Sequence, residues 1–318
     1  MVVATAMAAS GLLAAPASAH GTCADHQYQV RRGEPDYSAG HDRDQNGIGC
    51  ESLPARPSSP TGPGVAPAPP PPPSKVAIAS TRTGDGAWVA ATDGGVETVA
   101  QAPFFGSAGG RALNAPIVGI ARTASGNGYW LLGRDGGIFS YGDATFHGST
   151  GNIRLNRPVV SLASDPGGRG YWFVAEDGGI FAFGAPFHGS AGNLRLNQPV
   201  VGMAPTQSGD GYWLVARDGG IFSYGNAPFS GSTGNIRLNQ PIVGMAADPD
   251  GVGYWFVAAD GGVFSFDATF HGSAVGMIGS QDRAVGMSPH PDGGYFLLAA
   301  SGGVIGFGAA STVVSPPS

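Results

Sequence analysis

Hydrophobic positions along this chain fall in short runs with no helical stripe between them. In the plainest copy, Tyr171-Trp172-Phe173-Val174-Ala175 is followed by Asp177-Gly178-Gly179 and then by Ile180-Phe181-Ala182-Phe183. Two apolar runs around an Asp-Gly predict a strand, a tight turn and a strand, with positive φ expected at both central turn residues. The unit recurs at Trp88 with Asp93, Trp130 with Asp135, Trp172 with Asp177, Trp213 with Asp218, Trp255 with Asp260, and Phe296 with Ser301. Successive turns are 42, 42, 41, 42 and 41 residues apart.

Each unit reads as four strands. The first is a run such as Pro199-Val200-Val201-Gly202-Met203-Ala204, the second and third flank the Asp-Gly-Gly, and the fourth is short, as in Ala185-Pro186-Phe187-His188-Gly189-Ser190. A connector such as Gly192-Asn193-Leu194-Arg195-Leu196-Asn197-Gln198-Pro199 leads on. Four strands in about 42 residues is the size of a propeller blade. The Tyr-Trp runs are apolar on both alternating faces, so each strand must be covered on both, as it is when a blade lies between two neighbours. The expectation is an all-β, six-bladed β-propeller of four-stranded blades over residues 75–315, opened by Val76 to Ser80 and closed by the strand Ser311 to Val314. The end units are the most degenerate, with Glu97-Thr98-Val99 for the usual Phe-Ser-Tyr and Ser301 for Asp, which leaves a non-closing array as the rival. The repeats resemble the Gly-Tyr-Trp/Asp-Gly-Gly propeller repeats of secreted actinobacterial proteins and, more distantly, kelch repeats. The kelch likeness implies fold and not partner, because here the large aromatics precede the Gly-Gly.

Composition agrees with a turn-rich β chain, with 55 glycines among 318 residues and 42% hydrophobic residues. The formal net charge is −6, the one lysine is Lys75 and the arginines are scattered, which gives no basic footprint for nucleic acid or anionic membrane. Residues 1–19 are small and apolar and end in Ala17-Ser18-Ala19, the form of a signal-peptidase site, although no Lys or Arg precedes them. The segment is too short and too alanine-rich for a membrane anchor, and no other run approaches the roughly 18 apolar residues of a membrane span. A signal peptide and a secreted, extracellular and soluble product are therefore expected.

Cys23 and Cys50 are the only cysteines and, in an exported chain, read economically as one disulfide bond closing a small module over residues 20–53. Within it, Asp42, Asp44 and Asn46 stand at positions 1, 3 and 5 of an EF-hand-like loop, with Gly47 at position 6. Glu51 falls at position 10, not at the expected 12. Asp-x-Asp-x-Asp-Gly-x-x-Cys-Glu is the signature of the Excalibur family, small extracellular calcium-binding modules of bacteria, and residues 23–51 resemble it. Gly33-Glu34-Pro35-Asp36-Tyr37 matches that family's Gly-x-Pro-Gly-Tyr apart from Asp36, and Asn46 replaces its third Asp. The resemblance implies Ca2+ as cofactor, held weakly by Asp42, Asp44, Asn46, Ile48 and Glu51; the competing reading is an Asp/Asn/Gly turn inside a disulfide-closed loop. Residues 54–74, with Pro69 to Pro73, read as an extended Pro-rich linker.

Candidate chemistry in the repeats is weighed copy by copy. The aspartates before Gly-Gly look like a ring of cation ligands but match turn chemistry better. His147, His188 and His271 stand a blade or more apart and cannot converge on the roughly 2 Å bonds of one zinc, so local packing is expected of them. Repeating aromatics read as core. Arg154, Arg195 and Arg237 with Asn156, Asn197 and Asn239 recur in the connectors as possible ligand contacts, since loops on a rigid scaffold carry binding surfaces; local pairing and turn capping is the alternative. No nucleophile elbow, zinc-protease motif or phosphate loop is present, so no catalytic residue and no enzyme is expected. The functional expectation is a secreted or cell-wall-associated binding protein with a cell-wall glycan or surface protein as partner. The alternative is an extracellular glycan hydrolase or lyase on a propeller scaffold.

Overall fold

The computed structural model describes residues 30–31, 48–49, 73–249 and 253–314. The chain divides into two units, residues 1–70 and 71–318. In the first, β1 (Val30–Arg31) pairs antiparallel with β2 (Ile48–Gly49), Arg31 opposite Ile48. Of the expected calcium ligands Ile48 lies in β2; Asp42, Asp44, Asn46 and Glu51, both cysteines, the leader and the proline run up to residue 72 lie outside the described residues.

The second unit is a succession of six antiparallel sheets, each a meander of three strands. They are β3 (Lys75–Ser80), β4 (Gly86–Ala91), β5 (Val96–Ala100); β6 (Ile117–Arg122), β7 (Gly128–Gly133), β8 (Ile138–Gly142); and β9 (Val159–Ser164), β10 (Tyr171–Ala175), β11 (Ile180–Phe183). Then come β12 (Val200–Pro205), β13 (Gly211–Ala216), β14 (Ile221–Gly225); β15 (Ile242–Ala247), β16 (Tyr254–Ala258), β17 (Val263–Phe266); and β18 (Ala284–Pro289), β19 (Gly294–Ala299), β20 (Val304–Gly308). The first strands adjoin one another in order, and β18 returns to β3. The array is therefore a closed six-bladed β-propeller, with first strands innermost.

Closure follows from the two-faced middle strands. Tyr171 points at the preceding blade and meets Trp130, ring centroids 5.3 Å apart, while Trp172 points forward to Tyr212 at 5.6 Å. The same pairing joins Trp88 to Tyr129, Trp213 to Tyr254 and Trp255 to Tyr295 at 5.2 to 5.4 Å. Apolar burial is accordingly distributed over six inter-blade cores, with none at a single centre. Aromatic pairs of this geometry contribute about 0.5–1.5 kcal/mol beyond their area.

The expected fourth strand is not formed. Residues 185–190 and their equivalents leave the third strand as a strap without ladder bonds. Side chains hold the strap instead. The Trp172 indole N–H donates to the Pro186 carbonyl at 2.8 Å, and the Tyr212 hydroxyl of the next blade accepts from the His188 N–H at 3.1 Å and donates to the Gly189 carbonyl at 2.6 Å. Gly189 has φ 137°, and a Cβ there would collide with the ring of Tyr224, so the strap approaches the next blade more closely than any other residue allows. The strap is thus lodged between the Trp of its own blade and the two tyrosines of the next.

The turns differ from expectation too. In the Asp177 hairpin only Gly178 has positive φ, 78°, and the Gly178 N–H returns to Ala175 while the Ala175 N–H reaches Gly179. This is a three-residue loop, a type I turn closed by a glycine bulge, in place of a two-residue turn with both residues at positive φ. The last blade also ends differently: Ala309–Thr312 form one turn of 3-10 helix where a strand was expected. Ala87 stands in the first blade where the others carry the clasping Tyr, and Ala310, Val313 and Val314 pack in the space beside Ile78, Ala87 and Val89. Ser80 and Ser288 complete this seam, the Ser80 N–H donating to Ser288 Oγ at 2.9 Å and the Ser80 hydroxyl to the Pro289 carbonyl at 2.7 Å.

Burial raises the pKa of all five clasping tyrosines against the lowering effect of the strap hydrogen bonds, that of Tyr295 to about 12. An unfolded tyrosine ionises near its ordinary 10.0. The folded form holds the proton longer, so this stability is complete below pH 10 and is lost as pH rises toward 12. Urea midpoints should fall across that window. Tyr295→Phe, which leaves a strap N–H and C=O without their partner, should lower stability at neutral pH by about 1–3 kcal/mol and make the alkaline decline shallower.

Candidate functional site

Asp-Gly-Gly turns and inter-blade connectors meet on one face of the ring. The connector is stitched to the turn by backbone bonds, as where the Ala191 N–H donates to the Gly178 carbonyl at 2.9 Å and the Val200 N–H to the Glu176 carbonyl at 2.9 Å. Each turn aspartate spends one oxygen locally: Asp93, Asp135, Asp177, Asp218 and Asp260 accept the N–H two residues on at 2.9 to 3.0 Å. No group of three His, Cys, Asp or Glu side chains suited to a metal occurs among the described residues. The three histidines are strap residues whose rings lie edge-on to the next blade's Tyr, His147 on Tyr171, His188 on Tyr212 and His271 on Tyr295.

The connector residues singled out from sequence, Arg154, Asn156, Arg195, Asn197, Arg237 and Asn239, are all exposed. Their neighbours Ile153, Leu194 and Ile236 are each more than half exposed. Asn156 lines a groove of about 280 Å³ with Arg134, Asp135, Ile153 and Arg157. One blade on, Asn197 lines an equivalent groove of about 350 Å³ with Glu176, Asp177, Leu194 and the same Arg157. Arg154, Arg195, Arg237 and Asn239 line neither. Arg134 and Glu176, one from each groove, form an ion pair at 2.6 Å.

Three features were not read from the sequence. A β-bulge in every first strand puts one valine out of register, and these six, Val76, Val118, Val160, Val201, Val243 and Val285, line the central channel together. The signal was there, an invariant second-position valine in each copy. The strap phenylalanines Phe104, Phe146, Phe187, Phe229 and Phe270 are more than half exposed, so these repeating aromatics are not core. Their place beside a Pro or Thr and before a clasped residue turns them outward. Finally, a cavity of about 730 Å³ opens on the turn-and-connector face, lined from blades one, two, four, five and six.

No protein-family model matches the sequence, and no curated relative matches it. Among solved structures, the chain is similar to the β-propeller domain of Myceliophteria thermophila Cps50 (Swd1), with 12% identity, a TM-score of 0.49, and coverage of 74% of this chain and 96% of that one.

If the turn aspartates serve the turn and not a cation, the acceptor oxygen matters and the charge does not. Asp177→Asn should leave thermal stability nearly unchanged, whereas Asp177→Ala should cost about 0.5–1.5 kcal/mol in chemical denaturation. Equal losses in the two variants would assign the carboxylate charge a role of its own.

Proposed function

We propose that this protein is a non-catalytic interaction scaffold, secreted or cell-wall-associated, whose propeller offers a repeating ligand surface on the turn-and-connector face. The observation that carries the reading is the pair of equivalent grooves one blade apart, sharing Arg157 and each presenting an apolar side chain, an Asn and a turn Asp. Repeated subsites suit a repeating partner, because a second contact formed by the same molecule is intramolecular and multiplies avidity. Asn, Asp and Arg are the hydrogen-bonding set for hydroxyl-rich ligands, and Ile153 and Leu194 offer apolar faces beside them. A cell-wall glycan fits that description, and the apparent leader at residues 1–19 would deliver the chain to it. Purified cell walls should retain the full chain, and Asn156→Ala with Asn197→Ala should reduce retention by about fivefold or more while the Tm holds. Retention unaffected by the double variant would move the contact elsewhere, and release of soluble sugars would replace the reading with an enzymatic one.

The N-terminal module is proposed to bind Ca2+ through Asp42, Asp44, Asn46, Ile48 and Glu51, steadied by a Cys23–Cys50 disulfide. Its support is the spacing of the oxygen side chains and the glycine at position six. Millimolar calcium should raise the melting temperature of residues 20–53 in the wild type and not in Asp42→Ala with Asp44→Ala. A wild type indifferent to calcium at that concentration would remove the ion from the account.

A further inference from the structure

Two departures from the repeat, far apart in sequence from the degenerate first unit, meet at the large cavity. Four connectors end in Pro one residue before the next first strand, at Pro116, Pro158, Pro199 and Pro241, but the fifth runs Val275-Gly276-Met277-Ile278-Gly279-Ser280-Gln281-Asp282-Arg283, one residue longer and without proline. The position before each turn Asp varies as well. It is Thr92, Arg134, Glu176, Arg217, Ala259 and Ala300 in chain order. Glu176 neutralises Arg134, and Ala259 withdraws side-chain volume next to Arg217. The result is an opening whose wall carries Arg217, Arg283, Asp260 and Asp282 above an apolar floor of Val201, Val243 and Val285. A duplicated scaffold has no packing reason to break its pattern at two separate sequence positions that meet at one cavity.

With Arg134, which also lines the cavity, paired to Glu176, the remaining charges on that wall are two guanidinium groups and two carboxylates. Neither Arg217 nor Arg283 has an ion-pair partner among the described residues. Asp260 accepts one backbone N–H, through Oδ1, which leaves its Oδ2 for another donor. Asp282 is more fully engaged, accepting from the Arg283 N–H at 2.8 Å and the Ser301 N–H at 3.2 Å, with the Ser301 hydroxyl and the Ala300 N–H also favouring its charged form, so that it adds charge to the wall more than a free acceptor. A simple anion would meet two carboxylates here, and a simple cation two guanidinium groups. A molecule carrying both charges is opposed by neither, and bidentate guanidinium–carboxylate pairing favours a carboxylate as its anionic end. The valine floor calls for an apolar body, and the volume lies within the range of small-ligand sites.

We infer that the cavity between the fifth connector and the fourth to sixth blades is a binding site for a small apolar zwitterion, such as a short peptide with free amino and carboxyl ends. Its carboxylate is held by Arg217 and Arg283, its ammonium by Asp260 and Asp282, and its side chains rest on the valines. The cavity shares Arg134 with the Asn156 groove, where it is paired with Glu176, but none of the four proposed ligand contacts lies in either groove.

Calorimetric titration of the full chain with L-leucyl-L-leucine, its N-acetyl derivative and its C-terminal amide tests the assignment. The free dipeptide should saturate with a Kd of about 1 mM or tighter, and each blocked form should bind at least about tenfold more weakly. Arg217→Gln with Arg283→Gln should abolish discrimination against the amide. Asp282→Asn, which keeps the Oδ1 acceptor, should abolish discrimination against the N-acetyl form. Ala259→Phe should fill the cavity and eliminate binding without lowering the Tm. Asn156→Ala with Asn197→Ala should leave dipeptide binding untouched whatever it does to wall retention. No saturable binding by 5 mM dipeptide, equal affinity for the three probes, or preference for either blocked form would overturn the assignment (about 3 kcal/mol is the affinity at that limit).

Discussion

The ring stands on the contact between the Trp of one blade and the Tyr of the next. Each Tyr does two things from one position: its ring fills the inter-blade core against Trp, and its hydroxyl takes an N–H and gives a proton to a C=O of the neighbouring strap. The Trp indole pins the same strap from its own blade. Blade stacking and strap anchoring are therefore one interaction. The strap needs no ladder because aromatic side chains from two blades satisfy its polar groups.

Much of this was legible in the residues, and what was not has physical causes. The both-face apolar runs at Tyr171–Ala175 and their copies announced a sheet buried on two sides, and the 41- or 42-residue spacing announced blades. The strap was misread as a strand because period-two alternation looks the same whether the partner of a backbone N–H is another backbone or a distant hydroxyl; Tyr212 lies 24 residues from the N–H it binds. The turn was misread because Asp-Gly serves both a two-residue turn and a three-residue loop with a glycine bulge, and only the position of the closing hydrogen bond separates them. Exposed Phe187 and buried Phe173 carry the same letter. Of the connector residues read as ligand contacts, Asn156 and Asn197 line grooves while the companion arginines line neither. The large cavity is made by an alanine and an irregular connector, so it had no motif to announce it.

Repetition and its failures divide the labour. Positions shared by the copies, the Trp, the Tyr, the turn Asp and the strap Gly, are accounted for by the frame. Positions that vary around the ring, from Thr92 to Ala300 before the turns and in the fifth connector, lie on one face. The Trp, the Tyr and the strap Gly each serve two blades, whereas side chains on the turn-and-connector surface can change without repacking a core.

The seam between the last blade and the first is built unlike the other five interfaces. It has no Trp–Tyr pair, and it depends on aliphatic packing around Ala87 and Ala310 and on bonds between Ser80 and Ser288, 208 residues apart in sequence. Every other interface joins blades adjacent in sequence, whereas this one joins the first blade to the last and includes the final turn of 3-10 helix. Loop-closure entropy grows only slowly with length, so a seam between residues 208 apart adds little to the cost of closing a shorter loop. The first blade accordingly has one apolar flank, at Ile78, Ala87 and Val89, whose cover comes wholly from the other end of the propeller.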